Sequence, residues 1–182
     1  MYPLFESIRE EGGQVHLLQF HQARVEPSCR QLFQKKCPWK LITILPLLPT
    51  TGLYKLRFLY IDHAFSFKLV PYKARKIESL KYVKINTYNY DLKFTDRCGI
   101  DQAFALRGGC DDVLMTKNGL LTDTSYCNIL LFDETDWITP SQPLIKGVRR
   151  DYLLDQKMIK GGYADKGYLA LYIGLQLINA LK

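Results

Sequence analysis

An Asn-Gly pair stands between two apolar runs in the second half of the chain, and it leaves that region little conformational choice. Asn and Gly accept positive φ at low cost, and a type I′ turn needs positive φ at both central positions. Asp112-Val-Leu-Met-Thr-Lys117 and Leu120-Leu-Thr-Asp123 therefore read as the arms of an antiparallel hairpin around Asn118 and Gly119. Two further runs, Cys127-Asn-Ile-Leu-Leu-Phe-Asp133 and Asp136-Trp-Ile-Thr139, read as another strand pair, so sheet dominates here.

The rest of the chain mixes strands with helices. Residues 4–9 are extended in character, Glu11-Gly12-Gly13-Gln14 makes a turn, and an apolar segment resumes at Val15, which predicts a hairpin. From Gln19 the spacing of Phe20, Ala23, Arg24, Leu32 and Phe33 is helical, with Pro27 expected to kink that helix or begin a second one. Pro46, Pro49 and Gly52 mark a loop. Residues 54–62 and 64–72 alternate as two antiparallel strands, and residues 80–86 form another. Residues 96–107 suit a helix with Asp96 near its N-cap and Gly108-Gly109 beyond its end; Gly147 opens a helix that runs through Lys157, and residues 168–181 form a last apolar element. A lobe boundary between residues 85 and 92 divides the chain into 1–88 and 89–182. The fold class is α+β.

Composition narrows the function classes. Of 182 residues, 47% are hydrophobic and 24% charged, the balance of a globular chain rather than a disordered one. No run approaches the roughly 18 apolar residues of a membrane-spanning helix, since even residues 40–48 are broken by Thr43 and Pro46. The N-terminus carries no basic and apolar leader pattern, so a cytoplasmic location is expected. The five cysteines have no C-x-x-C pair, and His16, His21 and His63 lie far apart, so neither a disulfide framework nor a metal site is expected. A formal charge of +7 would suit an anionic partner, but the basic residues are scattered. Their densest cluster, Lys73, Arg75, Lys76, Lys81 and Lys84, lies in a strand-like alternation and reads as a solvated face, which makes a nucleic-acid partner unlikely. There is no G-x-S-x-G nucleophile elbow and no glycine-rich phosphate loop.

Several short motifs then fall in a telling order. His21-Gln-Ala-Arg24, Lys93-Phe-Thr-Asp-Arg97, Asp111-Asp112-Val-Leu-Met, Asn118-Gly119-Leu-Leu-Thr-Asp123-Thr-Ser-Tyr-Cys-Asn128-Ile, Thr139-Pro140 and Pro143-Leu-Ile-Lys-Gly147-Val-Arg-Arg150 together resemble the class IV aminotransferases. That family includes branched-chain aminotransferase, D-amino-acid aminotransferase and aminodeoxychorismate lyase. The resemblance spans nearly the whole chain and implies the two-lobed pyridoxal-phosphate fold type IV, with a small N-terminal α/β lobe and a C-terminal barrel-like β lobe with helices. It also implies a pyridoxal 5′-phosphate cofactor, a small amino substrate and a homodimer.

The same resemblance assigns roles. Lys93 matches the lysine that forms a Schiff base with the cofactor aldehyde and then moves the α proton. Asp123 takes the place of the carboxylate that keeps the pyridine nitrogen protonated, where most of the family has Glu. Arg24 and the turn Gly147-Val148-Arg149 are the phosphate donors, through a guanidinium and through backbone N–H groups at a helix N-terminus. That turn lacks the hydroxyl residue many relatives carry. Arg97, one helical turn from Lys93, would lower the lysine's pKa or hold a substrate carboxylate, and Arg57 and Arg149 are further candidates for the carboxylate. His21 reads as a packing residue beside the site and Asn128 as a turn-stabilising one. Typical relatives are about half as long again. Transamination and pyruvate elimination to 4-aminobenzoate use the same residues; Lys93-x-x-x-Arg97 and the short length lean toward the lyase. The alternative is a noncatalytic module that keeps the fold.

Overall fold

The computed structural model describes residues 3–182, which form two compact units. The first comprises Met1–Ala74, Leu92–Asp96 and Ala180–Lys182; the second comprises Arg75–Asp91 and Arg97–Asn179. The division is thus not one cut between residues 88 and 89. Pairing is the reason: residues 80–84 are drawn into the second unit's sheet, whereas residues 92–96 bond to the first strand of the first unit.

In the first unit the order is β1 (Leu4–Glu11), β2 (Gln14–Val15), α1 (Leu18–Phe33), α2 (Leu41–Ile44), β3 (Leu53–Tyr60) and β4 (Phe65–Pro71). Among the described residues these strands make one antiparallel sheet in the order β2-β1-β3-β4. Alternation along β1 buries Leu4, Glu6, Ile8 and Glu10 completely on one face. Against that face α1 places His21, Val25, Ser28 and Cys29, spaced at the three- and four-residue intervals of one helical face. Leu56, Phe58 and Tyr60 of β3 and Leu41 of α2 complete the core. Pro27 neither ends α1 nor starts a second helix, because the helix continues through it to Phe33. Burial of Val25, Ser28 and Cys29 on either side holds the turn, and the Ser28 hydroxyl donates to the Arg24 carbonyl at 2.8 Å.

The second unit contains β5 (Leu80–Lys84), α3 (Cys98–Ala105), β6 (Asp112–Lys117), β7 (Leu120–Thr124), β8 (Asn128–Phe132), β9 (Trp137–Pro140), α4 (Val148–Asp155), β10 (Lys160–Gly162), a 3₁₀ helix (Lys166–Leu171) and β11 (Gly174–Ile178). Among the described residues the sheet runs β10-β9-β8-β7-β6-β5, with β11 paired to β8. The β6–β7 turn is the expected one, with φ of 52° at Asn118 and 85° at Gly119. Leu114, Leu121, Ile129 and Leu131 fill one side of the core, and Leu130, Leu153, Ile159 and Ile178 another. Two expectations need correction, the start of α3 and the setting of Lys93. Helix α3 starts at Cys98 with Arg97 at the N-cap and no side-chain cap, so Asp96 lies outside it. The last apolar element is a 3₁₀ turn followed by a strand, β11 being bound along β8. Lys93 is not in a helix at all: its segment is extended, with Phe5 N–H donating to the Lys93 carbonyl at 3.0 Å and Thr95 N–H to the Pro3 carbonyl at 2.7 Å. Arg97 is therefore not one helical turn from it.

Candidate active site

In the first unit the buried face of β1 meets α1 in a charged cluster. Glu6 and His21 are completely buried and Arg24 nearly so. Arg24 grips the Glu6 carboxylate side-on, Nε donating to Oε1 at 2.9 Å and Nη2 donating to Oε2. His21 Nδ1 lies 2.6 Å from the same Oε2. Burial alone would raise the Glu6 carboxyl, but the Arg24 guanidinium and the His21 bond more than reverse this and hold it at about 2. An ionised Glu6 only accepts, so His21 Nδ1 carries the hydrogen. Burial lowers the His21 pKa, against the pull of Glu6 and with the added push of the Arg24 and Lys93 charges. His21 is thus neutral near pH 7. Its Nε2 is a buried acceptor with no hydrogen-bond partner among the described residues.

Lys93 belongs to this unit and is half-buried, with Nζ 5.0 Å from the centre of the Phe5 ring. Arg57 projects from β3 to the same ring, its Cζ at 4.7 Å.

In the second unit the β7–β8 connection carries a buried carboxylate. Asp123 is 3% exposed, and both its oxygens are oriented: Asn128 Nδ2 donates to Oδ1 at 2.7 Å and Ile145 N–H donates to Oδ2 at 2.9 Å. Asn128 Nδ2 also donates to the Ile145 carbonyl at 2.9 Å, so it ties β8 to the segment that leads into α4. Burial pushes Asp123 up to about 6, against the lowering effect of the Ile145 and Asn128 bonds and of the Arg150 charge. Gly147 caps α4 in extended conformation, and a Cβ there would collide with Asn128 Oδ1. Glycine is what lets the helix start lie against the Asp123–Asn128 pair. The N–H groups of Val148 and Arg149, in the first turn, have no acceptor within the helix, which suits an anion.

The other sequence candidates are otherwise engaged. Arg97 donates from Nη2 to the Ser125 carbonyl at 2.6 Å and lies over the Tyr126 ring, Cζ 4.4 Å from its centre. Arg149 is half-buried with Cζ 5.4 Å from the Tyr152 ring centre. Two residues were missed from sequence. Glu6 could have been found from its place in the β1 alternation with Leu4 and Ile8. Arg150, which donates to Thr139 Oγ1 at 3.2 Å and to the Pro140 carbonyl at 3.0 Å, shares a helical face with Leu153. Arg24, Lys93 and Arg57 thus stand in one unit, and Arg97, Asp123, Gly147, Val148 and Arg149 in the other.

The profile of the amino-transferase class IV family matches residues 65–162. An uncharacterized protein of Haemophilus influenzae is 31% identical over 186 residues, with 100% of this chain and 98% of that protein covered. A crystal structure from Haemophilus somnus, provisionally named a 4-amino-4-deoxychorismate lyase, superposes with a TM-score of 0.94 at 31% identity, covering 100% of this chain and 97% of that one. A hypothetical aminotransferase from Mycobacterium tuberculosis, solved with alpha-ketoglutarate and PMP bound, shares the fold at 15% identity and a TM-score of 0.73, covering 98% and 77%. The chain belongs to the class IV aminotransferase family and has its fold.

Proposed function

We propose that this protein is a pyridoxal-phosphate enzyme that works through Lys93, and that its reaction is elimination of pyruvate from aminodeoxychorismate to give 4-aminobenzoate. The observation that carries the reading is Asp123. A fully buried carboxylate, oriented through both oxygens by neutral donors and held up at about 6, has no directly bonded cation among the described residues. A protonated ring nitrogen supplies one.

The residues present fit the cofactor. Gly147 leaves room where a Cβ would strike Asn128, the first turn of α4 offers unbonded N–H groups to a phosphate, and Arg24 adds a guanidinium fixed side-on by Glu6. Bound pyridoxal phosphate supplies an aldehyde for amines and a ring that takes up electron density. Asp123 holds the proton at the ring nitrogen. Asn128 and Ile145 keep that carboxylate aimed and ionised at working pH. The first turn of α4 would offer its N–H groups to the phosphate, Arg24 is the guanidinium that the resemblance assigns to the same group, and Lys93 would take the α proton from the substrate and return it. In the lyase reaction Lys93 would remove the α proton so that a β substituent can leave the substrate; in transamination Lys93 would deliver that proton to the cofactor's C4′ instead. The 31% identity and almost complete mutual coverage with the Haemophilus somnus protein support the lyase over transamination. A homodimer in the cytoplasm belongs to the same proposal.

The test is absorbance. Titration with pyridoxal phosphate should give a visible band that borohydride fixes on Lys93, located by peptide mass, and Lys93→Ala should give none. With aminodeoxychorismate the wild type should release pyruvate and 4-aminobenzoate together. A missing band in wild type, or an unchanged one in Lys93→Ala, overturns the assignment; a band without either product, for aminodeoxychorismate or for amino-acid donors, leaves a binding module.

A further inference from the structure

All five cysteines are free thiols, and two of them meet in the first unit. Cys29 lies near the end of α1, 1% exposed, on the helical face that packs against the sheet. Cys37 is half-buried and packs against the same core cluster. The two thiols are within hydrogen-bonding reach of each other, and burial together with this contact pushes the Cys29 thiol up to about 12. Eight positions separate them in sequence, so no C-x-x-C spacing announces the pair. The backbone makes it. Gln34 takes a left-handed φ of 55° and its N–H donates to the Arg30 carbonyl at 3.1 Å, which ends α1 and lets the chain turn back onto the core. Pro38 then favours an extended conformation at Cys37.

The segment that carries Cys37 is fixed by its neighbours. Gln22 of α1 donates from Nε2 to the Trp39 carbonyl at 3.0 Å and accepts the Leu41 N–H at Oε1 at 2.8 Å, while Trp39 Nε1 donates to the Ile61 carbonyl at 2.8 Å. The Cys37 thiol donates to the same Trp39 carbonyl at 3.6 Å. That carbonyl keeps its Gln22 partner when the S–H is lost, so a change at the Cys37 sulfur orphans no acceptor. The cysteines of the second unit are set differently: Cys98 is exposed, and the Cys127 sulfur accepts from Asn179 Nδ2 at 3.3 Å.

We propose that Cys29 and Cys37 are a peroxide-reactive dithiol that closes reversibly to a disulfide and clasps the segment after α1 to the helix. The buried, protonated Cys29 thiol is a poor nucleophile, so reaction begins at the more accessible Cys37. Its sulfur attacks one oxygen of hydrogen peroxide, the O–O bond breaks, one water leaves, and Cys37 becomes a sulfenic acid. The Cys29 sulfur then attacks that sulfur. An S–S bond forms, the S–O bond breaks, and the hydroxyl leaves as a second water with the Cys29 proton. The two thiols have together given two electrons to the peroxide, and a dithiol reductant reverses the change by thiol–disulfide exchange. The clasp closes on the helix that carries His21 and Arg24, yet the proposal does not rest on the cofactor reading.

Its test needs no cofactor. Reduced wild type, unfolded in urea, should titrate five thiols, and after treatment of the folded chain with hydrogen peroxide three. Peptide mass should locate the link at Cys29–Cys37, and dithiothreitol should restore all five. Cys98→Ser should still form the link and Cys37→Ser should not. Cys29→Ala should leave Cys37 as a sulfenic acid that dimedone traps at least tenfold more than in wild type. In Trp137→Phe, where emission reports Trp39, the oxidised chain should unfold at higher urea than the reduced one, and adding Cys37→Ser should abolish that shift. Five thiols surviving peroxide, a link through Cys98, Cys110 or Cys127, or oxidation of Cys37 to a sulfinic acid with Cys29 untouched would each overturn the proposal.

Discussion

Glu6 is a charge that the fold keeps ionised in its interior, and its contribution depends on two neighbours from α1. Its pKa is about 2 against an ordinary 4.5, so the stabilisation is fully present above pH 4.5 and is lost as pH falls toward 2. Glu6→Gln leaves Arg24 without its counter-ion. We expect it to lower the unfolding free energy by about 3 kcal/mol at pH 7, with the gap to wild type closing below pH 4 in urea titrations. Asp123 has the opposite sign. With a folded value near 6 against 3.8, its protonated form is favoured in the folded chain, so stability falls as pH rises from about 4 to 6. A ring-nitrogen cation reverses that preference, since it needs the ionised form. Affinity for pyridoxal phosphate should therefore drop about tenfold more between pH 7.5 and 5 in wild type than in Asp123→Asn, by fluorescence titration. Equal slopes would remove Asp123 from cofactor binding. Lys93, Asp123 and Arg24 could be singled out in the sequence as candidates because each sits in a short motif. Glu6 was legible only in part: alternation with Leu4 and Ile8 puts it on the buried face, but its partners, 15 and 18 residues away on another element, are not written in the strand.

At the scale of elements, legibility followed the range of the cause. The β6–β7 hairpin is dictated by two adjacent residues and was readable outright. Gly119 has φ of 85° with open space around it, so Gly119→Ala should cost only backbone strain, about 1 kcal/mol in thermal unfolding. The extended conformation around Lys93 is imposed by β1, nearly ninety positions earlier, and a helical spacing to Arg97 was a natural misreading. Pro27 shows the same limit, because packing of α1 on the sheet overrides a local breaker. The start of α4 joins both kinds of cause. Its glycine was visible in sequence, but the reason for glycine is the Asn128 side chain against it. Gly147→Ala should displace Asn128, destabilise the protein by about 1–3 kcal/mol and weaken pyridoxal-phosphate binding at least tenfold, whereas Gly161→Ala, with nothing near its Cβ position, should change neither.

The whole chain passes between its two units four times, at residues 74–75, 91–92, 96–97 and 179–180, so neither unit is one continuous piece of sequence. This arrangement puts the lysine and the buried carboxylate of the proposed chemistry in different units. A ligand that needs both must couple their stabilities. The two tryptophans are placed to report this, since Trp39 lies in the first unit and Trp137 in the second. Trp39 donates to the Ile61 carbonyl at 2.8 Å, and Trp137 packs on Phe132 at 5.1 Å between ring centres, so each emission follows its own unit. In Trp39→Phe and Trp137→Phe variants, urea unfolding followed by the remaining tryptophan gives each unit's midpoint. At a free concentration one hundred times its dissociation constant, pyridoxal phosphate should add about 2.7 kcal/mol to the native state. If residues of both units hold it, the two midpoints rise by the same free energy. Lys93→Ala should shrink both shifts together, and Arg24→Gln should do the same through the phosphate. A rise confined to Trp39 or to Trp137 would show that one unit alone binds the cofactor, and the division of roles between Lys93 and Asp123 would then fail.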